Sequence, residues 1–161
     1  MPHTTFIIYK KGSVRMTDQN ADAQLLNFVY QNSQMGVESL GEILPMVKAG
    51  KFKEGLQSQY REYQKIHDEA ARKLNSAGYD EKGINAMQKI MTYLMIDVKM
   101  MVDSSPSHVA QMLIKGSNMG IMDAQKRIHE YESCADREVL KLMKHLQEFE
   151  EKNVERLKAY L

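Results

Sequence analysis

The stretch Ser33-Gln34-Met35-Gly36-Val37 returns as Ser117-Asn118-Met119-Gly120-Ile121, an offset of 84 from 33 to 117. Asn27 and Gln111 match at the same offset. Further on, Glu62-Tyr63 returns as Glu148-Phe149, an offset of 86 from 62 to 148. That second offset takes Gln64 to Glu150, His67 to Asn153 and Glu69 to Glu155. Two stretches of the chain therefore read as two copies of one helical hairpin. A glycine inside a helix costs about 0.5–1 kcal/mol relative to alanine. Its recurrence at 36 and 120 implies that each permits close approach of another backbone, with the first helix crossing the third there.

The flanking sequence fills out the hairpins. Thr17-Asp18 offers an N-cap, and Leu25, Leu26, Phe28, Val29, Met35, Val37, Leu40, Ile43 and Leu44 follow at helical spacing. Pro45 and Gly50 close that helix. The next begins near Lys51, with a seam of Leu56, Tyr60, Tyr63, Ile66 or His67, Ala70 and Leu74. Asn75–Gly83 is rich in breakers. A shorter helix is expected over 83–102. After Asp103-Ser104-Ser105-Pro106, another long helix runs from about Ser107 to Tyr131, with Asp103, Ser104 or Ser105 as its cap. Ala135-Asp136 opens the last, striped by Leu140, Met143, Leu146, Phe149, Val154, Leu157 and Leu161.

Composition agrees with helices. The 161 residues include 9 Gly, 3 Pro and 13 Met, too few turn formers for an all-β sandwich. That length suits one domain. Net charge is +1, which argues against a dedicated nucleic-acid binder. Cys134 is the single cysteine, so no intrachain disulfide is expected. No apolar run reaches the roughly 18 residues of a membrane span, and no signal peptide is evident. The expected location is the cytoplasm. Residues 1–16 are read apart from a domain at 17–161. Thr4–Tyr9 is β-prone, suggesting a short strand or a docking arm. The codons for Lys11-Gly12-Ser13 can also spell a purine-rich ribosome-binding tract, which suggests translation starting at Met16.

A duplicated hairpin with a long connection between its halves resembles the ferritin-like superfamily. The resemblance implies an all-α ferritin-like four-helix bundle with a short helix in the crossover between helices 2 and 3. It also implies a metal-binding Glu from the first helix of each hairpin and a Glu-x-x-His from the second. Carried over, the second-helix positions hold Gln64-x-x-His67 and Glu150-x-x-Asn153, and the first-helix positions hold Gln34 and Asn118. Only Glu150 is a carboxylate and only His67 an imidazole. Amides are neutral, so two divalent ions there would be under-compensated. The expectation is that the di-metal site is lost and that these six residues form a buried network fixing helix register. The alternative is a reduced site at His67 and Glu150 for iron, manganese or zinc. A site from Glu62, Glu148 and Asp123 is a further option, though solvation or pairing with Lys and Arg suits those acids better.

Other residues carry weaker signals. His108, His129 and His145 form no metal-ligand spacing and suit surface or capping roles. Cys134 reads as an incidental loop thiol. Met87, Met91, Met95, Met100 and Met101 concentrate in the crossover helix over 84–102. Thioethers adapt to irregular surfaces, so this helix is expected to cover the core or to meet a protein partner or a second copy. The function expected is a non-catalytic ferritin-like structural or interaction protein, acting as a homodimer without cofactor, and a spore- or stress-associated structural protein is a third class that fits the same residues. The alternative is a metal-binding protein or oxidoreductase.

Overall fold

A computed structural model describes the backbone of residues 3–81 and 97–161, and their side chains from residue 21 onward. Among these, four long helices and no strand are found. They are α1 (His3–Ile43), α2 (Lys51–Ser76), α3 (Pro106–Tyr131) and α4 (Arg137–Lys158). A short 3-10 turn, Leu44–Met46, carries Pro45 and ends α1. Gly50 precedes α2 at φ 147°, a value that L side chains rarely adopt.

Two of the expected starts are built as the sequence suggests. The Ser105 side chain accepts from the His108 amide before α3, with Pro106 in the first turn. Asp136 accepts from the amides of Glu138 and Val139 before α4. The start of α1 differs. Thr4–Tyr9 is helical rather than a strand, and Thr17-Asp18 lies inside the helix rather than capping it. Once a helix is nucleated, each added residue gains a hydrogen bond for little extra order, so weak β propensity does not stop it.

The contacts fix the helix directions. Along α1 and α2, Gly36 faces Tyr63 while Tyr30 stacks on His67, so the two run antiparallel. Between α1 and α3, Arg127 lies over Phe28 and Asn32 sits beside Gly120, again antiparallel. Phe52 meets Tyr160 and Tyr63 meets Phe149, so α2 opposes α4. In contrast, α1 and α4 run the same way, since the Asp136 amide donates to Asp22 and Glu150 lies near Asn32. It follows that α2 and α3 are parallel. The end of α2 and the start of α3 therefore lie at opposite ends of the bundle, separated by roughly the length of the 26-residue α2, about 39 Å at 1.5 Å per residue. Most of the Met-rich helix expected over 84–102, with Met87, Met91 and Met95, lies outside the described residues. Residues 97–99 are helical, with Val98 buried and Met100 and Val102 exposed.

One apolar core serves all four helices. It includes Leu25, Val29, Leu40 and Ile43 of α1, Leu56, Ile66 and Leu74 of α2, Val109 and Ile128 of α3, and Met143, Leu146 and Leu157 of α4. On α4 the buried stripe is Val139, Leu142, Met143, Leu146, Glu150, Asn153, Val154 and Leu157. Leu140 and Phe149 are half-buried, and Leu161 is exposed. The stripe is thus off by one position at two of its turns: Val139 rather than Leu140 faces the core, and the polar Glu150 rather than Phe149.

The glycines do something other than bring backbones together. A Cβ on Gly36 would lie 2.6 Å from ring atoms of Tyr63. A Cβ on Gly120 would lie 2.6 Å from Glu150 Oε2 and 2.7 Å from Asn32 Nδ2. Each glycine makes room for side chains, not for a crossing helix. Gly36→Ala should lower stability by about 1–3 kcal/mol through overpacking against the ring. Gly55 has nothing within 4 Å of its would-be Cβ. Gly55→Ala should therefore raise stability by about 0.5–1 kcal/mol from propensity alone. Denaturant midpoints of the two variants should move in opposite directions.

Candidate functional site

The polar centre of the molecule gathers around Glu150. Its side chain projects from α4 into the core and is 2% exposed. The Tyr63 hydroxyl of α2 donates to Glu150 Oε1 at 3.0 Å. Tyr63 is itself held by its ring, with Gly36 on one side and Phe149 at an edge-to-face centroid distance of 4.8 Å. Glu150 Oε2 faces Gly120 of α3 and the Asn32 amide of α1. Asn153 lies one turn along α4, fully buried and close to the Tyr63 hydroxyl. Ser117 is buried beside them.

Electrostatics follow from this burial. Desolvation pushes Glu150 up from its ordinary 4.5 to about 8. The Tyr63 hydroxyl and the nearby Asn32 amide oppose that shift by favouring the anion. Burial likewise raises Tyr63, and the adjoining Glu150 raises it further. Near neutrality both groups hold their protons. The centre is then a carboxylic acid, a phenol, two amides and a hydroxyl without net charge.

Of the six residues expected to meet, the structure brings together Glu150 and Asn153. Gln64 and Asn118 are exposed, which corrects their placement in a buried network. Each sits one position away from the residue that does point inward, Tyr63 and Ser117, so the helix face was misjudged by about 100°. Gln34 is half-buried and donates to Glu38 at 3.0 Å. His67 stacks on Tyr30 at a centroid distance of 4.3 Å, with Nδ1 3.8 Å from Asp68. Its Nε2 is buried and unpartnered. Asn32, Tyr63 and Ser117 are the members that sequence reasoning missed. Tyr63 was read as apolar seam, and Asn32 precedes the repeated pentapeptide by one residue.

The other candidate acids are accounted for separately. Glu62 accepts from or pairs with His145 Nε2 at 3.1 Å and lies 3.8 Å from Lys65. Glu148 is exposed and Asp123 half-exposed. Among the described residues no group of three His, Cys, Asp or Glu side chains is placed to hold a metal ion. Cys134 is half-buried, its thiol directed at the Tyr131 carbonyl. No described helix is long and apolar enough to cross a membrane.

The chain was compared with family models, curated proteins and solved structures, and nothing matches in any of the three. The site's own chemistry therefore carries the functional argument.

Because the folded chain keeps the Glu150 proton up to about pH 8 and the unfolded chain loses it near 4.5, stability falls as pH rises through that window. The contribution is complete below the lower value and gone above the upper one. Glu150→Gln keeps the shape without the proton equilibrium. Denaturation of the variant between about pH 5 and pH 8 should lack this slope, a difference on the order of 4 kcal/mol across the window. Equal slopes in both proteins would show that Glu150 titrates normally.

Proposed function

We propose that the chain is a non-catalytic, ferritin-like four-helix protein in which a neutral polar centre stands where a di-metal site would lie. Its role in this reading is structural or interactive. The observation that carries it is the buried Glu150, held by Tyr63 and surrounded by neutral side chains. A di-metal site in such a bundle draws on four carboxylates and two histidines, and a single protonated carboxyl cannot balance two divalent ions.

Two further observations support the ferritin-like part. Parallel α2 and α3 require a long crossover between two antiparallel hairpins. Tyr63 and Phe149, equivalent under the sequence repeat, also pack against each other. Equivalent residues meet in this way near the axis of a duplicated structure.

A reduced metal site is the second reading. It is favoured by the unpartnered Glu150 Oε2 and His67 Nε2. Metal analysis separates the two. The full chain, produced with added iron, manganese and zinc and purified without chelator, should carry only substoichiometric metal, with no difference in Glu150→Ala. One equivalent that disappears in the variant would establish the metal reading instead.

The homodimer proposal draws on exposed apolar side chains at one end of the helices: Met46, Met100, Val102, Tyr160 and Leu161. Light scattering after gel filtration should give twice the chain mass of 18.6 kDa. Val102→Glu should shift that mass toward the monomer, and a monomeric parent would refute the dimer.

A further inference from the structure

A small cavity adjoins the polar centre between α1, α2, α3 and α4. Its volume is about 30 Å³, and Asn32, Gly36, Tyr63, Gly116, Ser117 and Glu150 are on its wall. A water molecule needs roughly 10–15 Å³ of such space, so the cavity has room for two. Asn32 Nδ2 and Glu150 Oε2 are both buried there without a hydrogen-bond partner in the protein. The side chains that carry them are 3% and 2% exposed. Leaving two buried polar groups unpaired is costly, whereas a bridging water can accept from the Asn32 amide and from the protonated carboxyl and so satisfies both. The wall sets the amides of Asn32 and Gln59, the hydroxyls of Ser39, Tyr63 and Ser117 and the Glu150 carboxyl beside apolar Met35, Leu40 and Leu113, and its polar side offers the several partners that a retained water needs.

We propose that this cavity is an internal hydration site, in which one or two water molecules bridge Asn32 on α1 to Glu150 on α4 and reach the Ser117 hydroxyl on α3. This rests on the reading of the centre as metal-free. The waters give Glu150 Oε2 the partner that Tyr63 gives Oε1. Gly36 and Gly116 border the same space.

The test is a high-resolution crystal structure of the full chain near pH 6, with anomalous data, joined to water-to-protein NOE measurements in solution. The expected result is one or two density peaks at about 2.7–3.2 Å from Asn32 Nδ2 and Glu150 Oε2, without anomalous signal. A long-lived water NOE to the Asn32 side-chain amide should accompany them. In Asn32→Leu, the peak nearest residue 32 should be lost. A closed cavity in which Asn32 donates directly to Glu150 would overturn the hydration site and leave the metal-free reading standing. A peak with anomalous signal at about 2.0–2.2 Å from the carboxylate would overturn both.

Discussion

Removing the Glu150 carboxyl from water is the most demanding local event in this structure, and each helix meets part of it. From α2, Tyr63 supplies a hydroxyl donor. A bare backbone at Gly120 on α3 leaves space for the carboxyl, and α1 brings the Asn32 amide alongside. Proton retention completes the arrangement, since a neutral acid is far less costly to bury than an anion. The apolar core around it could form with many sequences of similar pattern. The polar centre is more selective, because a half-turn slip of any helix would leave a buried polar group facing hydrocarbon.

The two glycines of the repeat belong to the same constraint. Both sit opposite a bulky or polar side chain from the next helix of their own hairpin: Gly36 under the Tyr63 ring, Gly120 under the Glu150 carboxyl. The hairpins thus use one device for different cargo. In the first, the space admits an aromatic ring that also carries a donor. In the second, it admits the acid that receives that donor. This division gives the two halves complementary chemistry in place of identical chemistry.

Much of the architecture was legible in the amino acids. Apolar spacing located α2 and α3, and the Ser105-Pro106 and Asp136 signals placed two helix starts to within a residue or two. The glycine repeat pointed to the right positions for the wrong reason, because spacing alone does not say whether a neighbour presents backbone or side chain. Site residues were harder to read. Glu150 and Asn153 were found because a polar pair interrupts an apolar stripe. Gln64 and Asn118 were misplaced because the polar residue at a helix boundary face is ambiguous by one position. Tyr63 escaped notice since a tyrosine fits an apolar seam whether or not its hydroxyl is used. Helix continuation through Thr4–Tyr9 was hidden because local β propensity says nothing about a helix already nucleated further along.

The distribution of the centre over four helices has a kinetic meaning. Contacts inside each hairpin join residues close in sequence, whereas the Tyr63–Glu150 bond spans 87 residues. Loop closure of that length is a late and entropically expensive event. Neither hairpin alone can dehydrate the carboxyl, because its partners Tyr63 and Asn32 belong to the other half. Dehydration of Glu150, and with it retention of its proton, therefore belongs to the docking of the two halves and not to the formation of either hairpin.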